Sequence, residues 1–227
     1  MHKLRHNYWQ KEKNFVTLRF ENKHNQMKRI LIALMMALPI AAIAQDNTWE
    51  RTETTASANP DAKYLEGAVP VVDGRVVFQT TIQAPGKTAQ QIYDLLHQDM
   101  LTMTKEANQL EQTRLTVEDA DNHQVVGNFQ EWLVFKNKPL NLDRTRLLYN
   151  LIADCRDGEA TVKLTRIVYI YDEERDMTTY RAEEWITDRY GLNKKKTKLA
   201  RVSGKFRRKT IDRKDYIFNR FTQLLQK

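Results

Sequence analysis

Residues Glu159–Tyr171 read EATVKLTRIVYIY, the most strand-like run in the chain. β-Branched and aromatic residues fill it, and a period of two predicts that Val162, Leu164, Val168 and Ile170 share one face. Working outward, Asp154-Cys155-Arg156-Asp157-Gly158 reads as a turn, with Arg144–Ala153 as the strand before it. Val125–Phe135 is a long strand, and Gly127 inside it points to a bulge or a close backbone approach. Arg114–Glu118 and Arg75–Ile82 are further strands, the latter with Val76, Phe78 and Thr80 on one face. Asp73-Gly74 is a turn, and the ordered part begins at Tyr64–Val72. Lys136–Asn141, with Pro139, is a loop, and Asp172–Asp176 an acidic hairpin tip. Met177–Ile186 is expected to be the last strand. Its adjacent Glu183 and Glu184 would then point to opposite faces, unable to act on one substrate together.

Two helices complete the pattern. Thr88 with Gln91 forms a capping box ahead of the stripe Ile92, Leu95, Leu96, Met103 and Ala107. His97 stands beside that stripe as a boundary residue. The final helix is expected from about Asp212, as the cap, to Leu225, with Ile211 and Tyr216 as a hydrophobic staple. Its buried stripe is Ile217, Phe218, Phe221, Leu224 and Leu225. One antiparallel sheet with helices on one face would bury a single core.

The chain has 227 residues, a net charge of +8 and a pI near 9.5. Met27–Ala44, MKRILIALMMALPIAAIA, has a basic start (Lys28, Arg29), an apolar run and the small-x-small site Ala42-Ile43-Ala44. It reads as a secretory signal peptide cleaved between Ala44 and Gln45. The apolar run falls short of the roughly 20 residues that span a bilayer. Residues 1–26 are polar and aperiodic, so translation is expected to begin at Met27, with a polar extension as the alternative. Residues 45–62 read as a flexible tether and residues 63–227 as a single domain. The expected destination is the periplasm or the extracellular space. Residues 1–45 hold eight Lys/Arg and two Asp/Glu, leaving 29 basic against 27 acidic residues beyond them, a net of only +2. The basic pI is therefore a property of the leader, and nucleic acid loses its main support as a partner.

No catalytic motif is legible. There is no Gly-x-Ser-x-Gly and no His-Glu-x-x-His, Cys155 is the sole cysteine, and His97 and His123 are the only histidines beyond the leader. The expectation is a non-enzymatic protein with no metal, no cofactor and no membrane anchor in the mature chain.

Five stretches, in order, carry a resemblance: YLEGAVPVVDG (Tyr64–Gly74), LDRTR (Leu142–Arg146), AEEWITD (Ala182–Asp188), LNKKKTK (Leu192–Lys198) and SGKFRRKTID (Ser203–Asp212). They are similar to a family of secreted bacterial proteins known as a domain of unknown function with a TBP-like fold. The resemblance covers about Tyr64–Leu225. It implies an α+β, TBP-like or helix-grip-like fold: a curved antiparallel sheet of about five or six strands against a C-terminal helix, with one helix after the first strand. The family supplies no catalytic residues.

Two binding expectations follow. By analogy with folds of this shape, the space between sheet and helix would hold an apolar or amphipathic ligand or a partner segment, walled by Phe129, Trp132, Tyr149, Tyr169 and Trp185. The first reading of each of these is nevertheless plain core. The second concerns Lys194–Lys214, where eleven Lys/Arg face one acid, Asp212. Such a run binds phosphate, lipopolysaccharide or anionic lipid through Lys194, Lys195, Lys196, Lys198, Lys205, Arg207, Arg208 and Lys209, or it folds back on the domain's own acids, such as Asp172–Glu174 and Glu183-Glu184. A purely structural or protein-interaction role in the cell envelope is the remaining alternative.

Overall fold

A two-residue turn opens the sheet. Asp73 and Gly74 both have positive φ, 49° and 74°, the conformation a tight hairpin requires and that Asp-Gly adopts readily. It joins β1 (Val71–Val72) to β2 (Arg75–Gln83). The structure, a computed structural model, describes residues 59–138, 141–171 and 176–227, without the side chain of Asn141. The leader Met27–Ala44, its cleavage site, the tether up to residue 58, Pro139 and the acidic residues 172–175 lie outside the described residues.

After β2, Thr88 caps α1 (Ala89–Met103) through the expected reciprocal box with Gln91. Then come β3 (Arg114–Asp119), β4 (Gln124–Lys138), β5 (Asn141–Arg156), β6 (Glu159–Tyr171) and β7 (Thr178–Arg181). All pairings are antiparallel, in the order β1-β2-β6-β5-β4-β3, with β7 also on β6. The α+β class stands, with seven strands among the described residues where about five or six were expected. Two helical turns follow, α2 (Ala182–Trp185) and α3 (Asp188–Gly191), before the long α4 (Gly204–Leu225).

The β6 span agrees with its sequence reading, but its face does not. Arg166 adopts a left-handed φ of 54°, and Tyr149 of β5 faces the pair Arg166–Ile167, because Leu148 pairs Val168 while Asn150 pairs Thr165. This bulge shifts the alternation by one residue. Ala160, Val162 and Leu164 are buried before it, and Ile167 and Tyr169 after it, so Val168 and Ile170 lie on the other face.

The bulge also divides an edge. β5 pairs with β6 along its length, so β2 (up to Thr165) and β7 (from Val168) share the opposite edge. β7 cannot extend past Arg181 because β2 already occupies the positions beyond. The chain therefore leaves the sheet, and Ala182–Trp185 forms a helical turn instead of continuing the expected strand. Glu183 accepts a hydrogen bond from the Val76 N–H at 2.8 Å, satisfying a donor where the two strands meet.

A second correction concerns the last helix. It starts at Gly204, eight residues before Asp212, and Ser203 flanks it without capping, its hydroxyl donating to the Tyr190 carbonyl. Asp212 lies mid-helix and accepts from the Tyr64 hydroxyl at 2.7 Å. Ile211 is core rather than half of a staple.

Core positions on β4 (Phe129, Leu133), β5 (Leu147, Tyr149, Leu151) and β6 meet Leu96, Met100 and Met103 of α1 and Phe206, Ile217 and Phe221 of α4. Gly127 is needed because a Cβ there would press on Phe129 and on Met100. The close approach expected at this glycine is made by side chains, and the bulge lies on the partner strand, between Leu115 and Val117.

Candidate functional site

The five expected wall residues fall in different settings. Phe129 and Tyr149 stack with ring centroids 5.4 Å apart, and both are buried. Tyr169 is buried against Phe206 and hydrogen-bonds Thr210 at 2.6 Å, and burial raises its pKa. Trp185 sits at one end of the sheet, stacked on Tyr180 at 3.8 Å. Trp132 points to the opposite face, with the Arg144 guanidinium 3.7 Å from its ring centroid. These five residues do not converge on one cavity. Three are core, one is at the rim and one is across the sheet.

Sequence reasoning missed a buried ionic centre. Glu131 and Arg213 are 0% and 1% exposed, and the guanidinium grips the carboxylate at 2.8 and 2.7 Å. Asn108 and Gln109 donate to the same carboxylate at 2.9 and 2.5 Å. Burial alone would lower the Arg213 pKa, but Glu131 and the neighbouring Tyr149 hold it above the ordinary value. Beside it, Arg220 binds Asp99 at 2.7 and 2.9 Å and also Glu106. A signal was available, because in strand β4 a period of two puts Glu131 between Phe129 and Leu133 on the inward face. An acid there requires a buried cation.

The basic run divides. Arg207 is fully buried and donates to the carbonyls of Tyr64 (2.6 Å), Leu65 (2.5 Å) and Ile186 (2.7 Å) and to Asp188 (2.7 Å). Burial lowers its pKa, opposed by Asp188. Lys205 pairs with Asp143 at 2.7 Å and lies over the Phe135 and Tyr171 rings. Arg208 pairs with Asp61 at 2.6 Å, Lys196 with Glu66 at 2.5 Å, and Lys214 with Asp215. So the run does fold back on the domain's acids: the partners among the described residues are Asp61, Glu66, Glu106, Glu131, Asp143, Asp188 and Asp215, while Asp172–Glu174 lie outside the described residues.

What stays outward is a loop. Leu192 and Leu199 bridge, and the Asn193 carboxamide oxygen accepts the N–H groups of Thr197 (2.9 Å) and Lys198 (3.2 Å). Lys196 sits at a φ of 55° in this tight turn. Lys194, Lys195, Lys198 and Arg201 are exposed and have no acidic partner among the described residues. Lys209, half-buried on α4, has contacts of its own. The loop therefore presents four cations held by a backbone frame.

Other titratable groups are engaged. Cys155 is 5% exposed, and burial pushes its thiol up to about 12, so it stays protonated at neutral pH. His97 meets Glu118 at 2.5 Å and stacks on Tyr93. Among the described residues no three His, Cys, Asp or Glu side chains form a metal-binding group, and no helix is long and apolar enough to cross a membrane.

A similar solved structure is a DUF4468 family protein from Bacteroides ovatus, 40% identical, with a TM-score of 0.65 over 73% of this chain and 94% of that one. The chain belongs to the DUF4468 family. Residues 78–170 match the family model, described as a domain of unknown function with TBP-like fold. That match runs from β2 to the end of β6, so the basic loop lies beyond it. A TBP-like protein from Parabacteroides distasonis shares 16% identity, with a TM-score of 0.56 over 69% of this chain and 96% of that chain, which speaks for the fold alone. No curated protein matches the chain.

Proposed function

We propose that this DUF4468 protein is an exported, non-enzymatic binding module of the cell envelope that contacts anionic, phosphate-bearing material through Lys194, Lys195, Lys198 and Arg201. The observation that carries the reading is the division of the basic run: its other cations are buried or engaged within the domain, while these four stand exposed on a backbone-braced loop. A loop fixed by Asn193 loses little backbone freedom on binding, which favours contact through long, mobile lysine side chains. The burial of Phe129, Tyr149 and Tyr169 in the core supports an exterior contact over an internal apolar ligand. Export rests on the leader-like Met27–Ala44.

The test is binding of the protein, as recovered from expressing cells, to phosphate-bearing surfaces such as anionic vesicles and lipopolysaccharide at rising salt. Binding that weakens with salt and disappears in the triple variant Lys194→Glu, Lys195→Glu, Lys198→Glu is the expected result. Salt-independent binding, or none, overturns the reading.

A further inference from the structure

We propose that the corner built by Arg189–Gly191 and Ala200–Val202 docks on an anionic lipid bilayer, with Tyr190 and Val202 entering the interface while the cations around them meet the headgroups. This rests on the anion-binding reading above and adds that the anion is a membrane surface rather than a soluble phosphate.

Two of the exposed large apolar side chains fall at this corner, next to the cations without an acidic partner among the described residues. Tyr190 is 41% and Val202 58% exposed. The segments that carry them are joined, because the Ser203 hydroxyl donates to the Tyr190 carbonyl at 2.5 Å and the Ala200 N–H to the Gly191 carbonyl at 2.9 Å. Gly191 has no room for a side chain, since a Cβ would meet the Ile186 carbonyl and the Arg207 chain, so the backbone under Tyr190 is packed tight. Arg207, whose guanidinium bonds the Ile186 carbonyl and Asp188, fixes α3 from within. The corner is therefore a rigid platform carrying two outward apolar groups.

Its surroundings are cationic. The Arg189 guanidinium lies 5.2 Å from the Tyr190 ring centroid, Arg201 neighbours Val202, and Lys194, Lys195 and Lys198 occupy the adjoining loop, all exposed. A soluble phosphate is bound by donors that converge on it. Here the cations sit along an outward loop and flank apolar tips, and that arrangement matches a headgroup layer, where lysine and arginine meet phosphates while tyrosine and valine reach the acyl boundary. Tyrosine suits this position because its ring is apolar and its hydroxyl stays wet.

The experiment compares the parent protein with Tyr190→Ser, Val202→Ser and the triple lysine variant, each checked for an unchanged thermal unfolding curve. Partition is measured on phosphatidylglycerol–phosphatidylcholine vesicles, on pure phosphatidylcholine vesicles and on heparin resin as a soluble-type polyanion. The expected result is that Tyr190→Ser and Val202→Ser each weaken anionic-vesicle binding about five-fold or more and leave heparin retention unchanged, because only the bilayer offers an apolar phase. Tyr190→Trp should in addition be quenched by brominated acyl chains beyond the level of the parent. Loss of vesicle binding in the triple lysine variant without any effect of the two serine variants, or without added quenching, overturns the membrane inference and leaves anion binding standing. Retention on heparin with no vesicle binding, the behaviour expected of an acidic protein or glycan as occupant, also overturns it. Failure of the parent on every anionic surface removes both readings.

Discussion

Within 21 residues the same kind of charge serves two purposes. Lys194, Lys195 and Lys198 stand in water on a braced loop, whereas Arg207 and Arg213, a few turns later, lie inside the protein. The difference is one of geometry more than of charge. A guanidinium presents five donors in a rigid plane, and in Arg207 these are met by three carbonyls and a carboxylate. An ammonium is compact and strongly hydrated, and no comparable cradle is built for the loop lysines. A dense basic run is therefore not by itself a binding surface. Here Arg207 and Arg213 are interior scaffold while Lys194, Lys195 and Lys198 face outward.

The sharpest way to break this contrast is at Arg213. Arg213→Met leaves Glu131 buried without its cation and is expected to cost roughly 3–5 kcal/mol of stability in urea unfolding. The double variant Glu131→Leu, Arg213→Met should recover most of that loss. A single variant unfolding within about 1 kcal/mol of the parent would mean that water reaches Glu131 and that the centre is not a dry pair.

Lys205 is intermediate, half-buried and paired. Burial would lower its pKa, but Asp143 and Tyr171 outweigh this and raise it above the usual 10.5. The unfolded chain therefore releases this proton first as pH rises. The stabilisation from Lys205 is fully present below 10.5 and is lost as pH climbs through the raised folded value. Parent and Lys205→Met should differ by a constant amount, about 1 kcal/mol or less, through neutral pH and converge in strong alkali. A gap that widens above pH 10.5 would contradict the assignment.

The smallest expected effect lies at the loop. Lys194→Ala with Lys195→Ala and Lys198→Ala should leave unfolding within about 0.5 kcal/mol of the parent, in contrast to the arginines of the same run. A larger loss would assign these lysines to the scaffold as well.

Much of the fold was legible from local pattern. The β6 span, the Asp73-Gly74 hairpin and the Thr88–Gln91 capping box follow from chemistry within a few residues. What was not legible depends on distant partners. Nothing in Thr165-Arg166-Ile167 announces a left-handed arginine, so the face of β6 was misread after it. The end of β7 is set by β2, about a hundred residues earlier in the chain. The sequence places the start of α4 at Asp212 because that residue reads as a cap, whereas it lies mid-helix and accepts from the distant Tyr64 hydroxyl. Of the eight proposed anion-binding residues, Lys194, Lys195 and Lys198 remain free of acidic partners among the described residues. Separating them from Arg207 required knowing which carbonyls and carboxylates the fold brings near.

The segment Asp61–Gly67 has a consequence for the timing of folding. Asp61 holds Arg208, Lys63 and the Tyr64 hydroxyl hold Asp212, the Tyr64 and Leu65 carbonyls hold Arg207, Glu66 holds Lys196, and the Gly67 N–H holds Asp188. These contacts join residues from 121 (Gly67 to Asp188) to 149 (Lys63 to Asp212) positions apart. A chain emerging N-terminus first from a ribosome can complete this clasp only after α4 has emerged as far as Asp212. The sheet can assemble early, but the domain closes only when its own two ends meet.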